Sequence, residues 1–295
     1  MKKSTLILLG LFLVLLAAAY LVTMKPGEQS VSSETGNFLV QIDSLAVDKI
    51  EIWTPTSRVR LEKKGVEWFV QEPIVYRADQ ATVGGAIHQA KSLTVKNVVS
   101  SNPQKHALFQ VDSSGTLVTV YEKGASKASF IIGKMGPTFT EQYARLTSSN
   151  DVALVDGGSA FTRPLKEWRD RMIVAMPKEN IKSVEFQFGD TVFTLAFRDS
   201  LWMVGGDSAN ESTVESLLNA LAKFDADEFV DSIPSLQPAM TAQITLGTTQ
   251  LRFHEQKEPA KFFVQSSDSP QWFEVQPWRA NQLLKRKSEL VKTRF

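Results

Sequence analysis

The sequence predicts an α+β protein, an N-terminal transmembrane helix followed by a tandem duplication of an antiparallel-sheet-plus-helix unit. Three observations predict it. Leu6 to Val22 carries no charged residue. Beyond residue 37, short period-two segments bounded by turn residues recur, the pattern of antiparallel meanders. The order of those segments around one helix then occurs twice.

The anchor comes first. A helix over Leu6 to Val22 rises about 1.5 Å per residue and spans roughly 25 Å. Adding Thr5, Thr23 and Met24 brings it near the ~30 Å core of a bilayer. Lys2 and Lys3 favour leaving the N-terminal end in the cytoplasm. Ala17-Ala18-Ala19 offers the small residues of a signal-peptide cleavage site, the competing reading. The apolar run continues past it through Tyr20-Leu21-Val22, so the retained anchor is preferred. The short basic and apolar start reads as bacterial. The expected location is therefore the inner membrane, crossed once, with the bulk of the chain in the periplasm.

Four segments follow: anchor 1–24, stalk 25–37, first repeat 38–176 and second repeat 177–295. The stalk is rich in Ser, Gly, Glu and Gln and cannot bury itself. Hydrophobic residues make up 43% of the chain, enough for a core. A net charge of +1 gives no reason to expect nucleic acid as partner. The chain has no cysteine, which excludes a cysteine-linked lipid, disulfides and thiol chemistry.

In the first repeat, strands are expected at Ile50-Glu51-Ile52, Val59-Arg60-Leu61 and Trp68-Phe69-Val70. Asp79 then caps a helix whose apolar face carries Val83, Ile87, Ala90 and Leu93. Strands follow at Leu117 to Tyr121, Ser129 to Ile132, Tyr143 to Leu146 and Val152 to Val155, with a short helix at Ser159 to Lys166. The second repeat starts at Val184-Glu185-Phe186, Phe193-Thr194-Leu195 and Trp202-Met203-Val204. Ile50 to Trp68 and Val184 to Trp202 have the same spacing. Asn210 caps the second helix, with Val214, Leu217, Leu218, Leu221 and Phe224 on its apolar face. Strands recur at Ile244 to Leu246, Leu251 to Phe253, Phe262 to Val264 and Trp272 to Val275. One helix from Pro277 to Lys292 closes the chain. Matched identities are few, such as Leu61 with Leu195 and Trp68 with Trp202. Both tryptophans are read as core.

A search for chemistry returns no catalytic residue, cofactor-binding residue or metal ligand. His88, His106 and His254 lack the helical spacing of a zinc site, and His88 reads as solvated. Gly157-Gly158-Ser159 lacks the second glycine of a nucleophile elbow and reads as a turn with a helix cap. Asp225, Asp227 and Asp231 are spaced too irregularly for a calcium loop and read as solvated loop acids. Trp168-Arg169-Asp170-Arg171 is the densest charged and aromatic cluster, with internal pairing preferred to a contact surface. Candidate interaction residues are Tyr143 and Arg145, which share one face of a strand, and Trp278 and Arg279 at the start of the last helix. For Tyr143 and Arg145 the plain alternative is cover for the core edge.

Ile50-Glu51-Ile52, Trp68-Phe69-Val70 with Pro73, Ala78-Asp79, Ile132-Gly133, Tyr143-Ala144-Arg145 and Leu165 through Arg171 occur in an order that resembles a known family. It is the bacterial membrane-anchored domain-of-unknown-function family found beside gliding-motility-type ABC transporter auxiliary components. The likeness runs from about residue 45 to 290 and departs where Phe263-Val264-Gln265 replaces the Tyr-Ala-Arg strand. The resemblance implies an auxiliary envelope role and carries over no catalytic residue. The first expectation is thus an anchored accessory protein with envelope partners. The alternative is a glycan- or lipid-binding protein using the cleft between repeats. A hydrolase with an unrecognised site is the third reading.

Overall fold

The computed structural model describes residues 37–232 and 238–292. The chain divides into two compact units, with described residues falling within Met1–Arg58 and Gly85–Thr162 for one, and Val59–Gly84 and Arg163–Phe295 for the other. The expected anchor and nearly all of the expected stalk lie outside the described residues. Among the described residues no helix is long and apolar enough to cross a membrane.

Antiparallel strands dominate, in two sheets of nine with a few helices. The first sheet is built from β1 (Val47–Trp53), β2 (Arg58–Lys64), β3 (Glu67–Glu72), β4 (Tyr76–Arg77), β5 (Thr94–Ser100), β6 (Thr116–Glu122), β7 (Ala125–Met135), β8 (Glu141–Leu146) and β9 (Val152–Asp156). Helix α1 (Gln80–Ser92) separates β4 from β5, and α2 (His106–Phe109) precedes β6. The strand order is β4-β3-β2-β1-β6-β7-β8-β9-β5. After α3 (Leu165–Trp168) and β10 (Met172–Ala175) comes the second sheet's run. It comprises β11 (Ser183–Phe188), β12 (Thr191–Arg198), β13 (Leu201–Val204) and β14 (Asp207–Ser208), then α4 (Glu211–Ala222) and β15 (Lys223–Asp225). It continues through β16 (Glu228–Val230), β17 (Met240–Leu246), β18 (Thr249–Gln256), β19 (Lys261–Ser266) and β20 (Trp272–Val275). The order is β14-β13-β12-β11-β17-β18-β19-β20-β16. If β10 and β15, which form their own two-stranded sheet, are set aside, the two orders are the same.

Alternation sets the buried face of each strand. In β11, Val184 and Phe186 are fully buried while Ser183 and Glu185 are exposed. Helix α4 starts where the Asn210 side chain accepts the N–H groups of Ser212 and Thr213 at 3.1 and 3.2 Å. Its residues Val214, Leu217, Leu218 and Leu221 sit at i, i+3, i+4 and i+7, at most 4% exposed. Each such burial is worth about 1.5–3 kcal/mol, so packing rather than propensity holds this twelve-residue helix. Phe224, Phe253, Phe273, Leu283 and Leu290 complete the same core.

Three expectations are corrected. The short helix at 159–166 is broken into a 3₁₀ turn, Ser159–Thr162, and α3, because Pro164 has no N–H and enters α3 in extended geometry. The closing helix is also two pieces, α5 (Pro277–Leu283) and α6 (Lys287–Leu290). Leu284 leaves helical geometry, and Glu289 takes the Arg286 N–H at 2.7 Å to start α6. The break lets the Leu290 carbonyl reach the Asn210 N–H at 2.7 Å. Finally, Trp68 is 7% exposed, as expected of core. Trp202 is half-buried, tilted against Phe197 at 5.3 Å.

Candidate functional site

Tyr143 and Arg145 project from the same face of β8, opposite the buried Gln142 and Ala144. That face carries a small core of its own, Val111, Ile131 and Val152, with Phe109, Leu117 and Tyr143 packed on it. Tyr143 and Phe109 have ring centres 4.7 Å apart. The segment carrying Phe109 lies tight on β7, where a Cβ on Gly133 would sit 2.2 Å from the Phe109 carbonyl oxygen. Only glycine permits that approach. Arg145 donates from Nε to the Val111 carbonyl at 3.0 Å, and from Nη1 to those of Leu146 and Ser149 at 3.2 and 3.0 Å. Both residues are thus engaged in the packing of their own unit. What remains open is a surface groove of about 430 Å³ lined by Trp53, Arg58, Asp112 and Arg145 among others. The Asp112 carboxyl is held below its usual range, first by the Ser114 hydroxyl and then by the Ser114 N–H.

Trp278 and Arg279 open α5. Trp278 is 59% exposed, a large indole on the surface. Arg279 is half-buried and fixed at both ends of its guanidinium. Nη2 meets Asp227 at 3.3 Å, and Nη1 donates to the Asp225 carbonyl at 3.4 Å. Its guanidinium carbon lies 5.0 Å from the Trp278 ring centre. Asp227 also accepts the Gln276 N–H at 2.8 Å, tying the loop before α5 to the same carboxylate. The exposed aromatic therefore stands on a braced support.

The most connected polar group is Arg169, whose internal pairing matches expectation. It is 2% exposed. Nη1 donates to both oxygens of Asp231, at 2.8 and 3.0 Å, and Nη2 to Gln271 Oε1 at 3.0 Å. Gln271 in turn donates to the carbonyls of Val230 and Trp272. The guanidinium lies 3.7 Å from the Phe229 ring centre and 4.9 Å from that of Tyr76. Burial raises the Tyr76 phenol above its ordinary value, against the lowering effect of a hydrogen bond with Ser269. Next to it, Asp170 pairs with Arg77 at 3.3 Å, and Arg77 with Glu67 at 2.9 Å. Sequence reasoning missed the partner side of this node. Asp227 and Asp231 read as solvated acids, yet each anchors an arginine. The dense run of one aromatic and three charged residues at 168–171 was the available signal.

His88 is exposed, as expected. His106 Nε2 contacts the Asn150 carbonyl at 3.0 Å, and His254 Nδ1 that of Pro238 at 2.8 Å. Gly157 and Gly158 form a turn with φ of +98° and +111°, leading into the 3₁₀ segment. Among the described residues no three His, Asp or Glu side chains are grouped to hold a metal ion.

Comparison with curated proteins finds no match, and comparison with solved structures finds none either. Residues 68–246 match the family described as Domain of unknown function (DUF4340), which covers β3 through β17 and more than half of the 295 residues. The chain belongs to this family of domains of unknown function, DUF4340.

Proposed function

We propose that this protein is a membrane-anchored, extracytoplasmic accessory protein that acts by binding other proteins, as an auxiliary component of an envelope ABC transporter or export complex. The observation that carries the interaction reading is the braced pair Trp278 and Arg279. An exposed indole, held against a guanidinium that is itself fixed by Asp227 and Asp225, is preorganised. Interfaces draw most of their energy from a few Trp, Tyr and Arg anchors of this kind. The uncharged run from Leu6 to Val22 behind Lys2 and Lys3 supports the anchor and a periplasmic location. The transporter assignment rests on the resemblance described above.

The same reading takes the two sheets as copies of one unit. Their strand orders agree. Leu61 opposes Val70 in β2–β3, and Leu195 opposes Val204 in β12–β13, at equal spacing. Trp68 and Trp202 carbonyls accept the N–H of Ala78 and Ala209 at 2.9 and 2.8 Å. Each following helix has its capping residue's N–H bound by a distant carbonyl, Asp79 by Trp168 and Asn210 by Leu290.

The test is crosslinking and affinity capture from intact membranes with the full chain and with Trp278→Ala. Loss of a specific envelope partner from a folded variant supports the reading. Unchanged capture, or loss of function from one Ser, Asp or Glu change with capture intact, sinks it. A C-terminal reporter active only in the periplasm checks the topology separately.

A further inference from the structure

The registers of the first sheet locate the place where the chain enters it. Phe38 forms a bridge with Thr94, Thr94 pairs with Asp156, and Asp156 pairs with Glu141. Three strand spacings of about 4.8 Å put Phe38 and Glu141 roughly 14 Å apart along one end of the sheet. Glu141 closes the β7–β8 hairpin, where its carbonyl accepts the Gly136 N–H at 2.8 Å. The tip of that hairpin carries Phe139, 91% exposed, and its shoulder carries Met135, 52% exposed. Phe38 itself is 51% exposed. Three large apolar side chains thus stand in solvent at the end of the sheet where residue 37 begins it.

We infer that this end, presenting Phe38, Met135 and Phe139, is a contact surface for the lipid bilayer. The inference rests on the anchor reading above. Twelve residues, 25–36, lie between the uncharged N-terminal run and Asn37, and even fully extended they reach at most about 43 Å. The end of the sheet that bears the exposed aromatics is therefore the end tethered to the membrane. Aromatic side chains favour the headgroup boundary, where a ring is removed from water. The charges close by are compatible with it. Lys96 and Glu141 pair at 2.8 Å, Lys134 lies over the Phe109 and Tyr143 rings, and Asp156 is the carboxylate the contact must leave in water. Leu45 is a natural control: it is 88% exposed but lies beside the β6–β7 turn, at the far end of β7 from Met135.

Because the chain has no cysteine, a single introduced thiol reports one position. The full chain would be reconstituted in phosphatidylethanolamine–phosphatidylglycerol vesicles as Phe139→Cys, Phe38→Cys, Leu45→Cys and Val14→Cys, each carrying a nitroxide. Relaxation by oxygen, which concentrates in lipid, is compared with relaxation by a water-soluble nickel chelate. The expected result is an oxygen-dominated ratio at 14, 38 and 139 and a nickel-dominated ratio at 45. A nickel-dominated ratio at 38 and 139 with oxygen dominance at 14 overturns the contact and leaves the anchor standing. Oxygen dominance at 38 and 139 with nickel dominance at 14 supports the contact and overturns the anchor.

Discussion

Arg169 and Asp231 meet through two hydrogen bonds, at 2.8 and 3.0 Å, across 62 residues of chain. The arginine side chain is 1% exposed and the aspartate 36%, so one partner is sealed in and the other keeps an edge in water. Removing either partner leaves a charge without its counterpart. For the sealed one, Arg169→Ala also strips a cation from beside the Tyr76 and Phe229 rings. The expected loss is about 2–5 kcal/mol of unfolding free energy, chiefly from the space left by a sealed side chain, read from urea denaturation. Arg169→Met, which fills the space without a charge, should cost clearly less. Equal losses for the two variants would show that pairing and not volume holds the node.

The two tryptophans at matched strand positions should behave differently. Trp68 is nearly sealed, so Trp68→Ala is expected to cost about 3–5 kcal/mol. Trp202 leaves part of its ring in a shallow depression beside Phe197, Lys182 and Glu215, so Trp202→Ala should cost about 1–2 kcal/mol. Denaturation midpoints of the two variants, compared in one buffer, check the order. Equal values would contradict it.

Arg145→Ala should lower stability by about 1–3 kcal/mol, since the carbonyls of Val111, Leu146 and Ser149 lose a charged donor together. Partner capture by the folded fraction should be unchanged. A variant of parental stability that loses its partner would instead make Arg145 a contact residue.

Gly133→Ala sets a methyl group 2.2 Å from the Phe109 carbonyl oxygen, a backbone atom that cannot swing away. Displacing the 109–111 segment should cost about 1–3 kcal/mol and expose Tyr143. Increased hydrogen exchange at residues 106–111, relative to β6, is the measurement.

The Lys96–Glu141 pair predicts a pH dependence. Glu141 is held below its ordinary value, first by Lys96 and then by Thr138. Its contribution is complete above the ordinary carboxylate value and disappears as pH falls through the depressed folded value. Lys96 is raised, chiefly by Glu141, so its contribution is complete below the ordinary ammonium value and is lost as pH rises through the raised one. Glu141→Gln should therefore be less stable than the parent at neutral pH. The two should converge in acid, where the parent carboxyl is protonated. Parallel curves in acid would contradict the pairing.

Local pattern was enough for the elements whose signals repeat within a few residues. The alternation of Val184 and Phe186, the Asp79 and Asn210 caps and the stripe from Val214 to Leu221 each follow from neighbours in sequence, and the structure has them. The α+β class and the recurring strand order follow from those elements taken in turn. Two-residue strands such as β4 and β14 were not legible, because two residues carry no period. Nor were the partners of Arg169 and Arg279, or the burial difference between Trp68 and Trp202. A charge pair across 62 residues has no spacing to detect; it exists only once β16 and β20 have placed Asp231 and Gln271 around the guanidinium. The same holds for Tyr143 and Arg145, legible as a polar pair on one strand face. Only the folded cover from 109 to 111, admitted by Gly133, decides that their atoms face inward contacts.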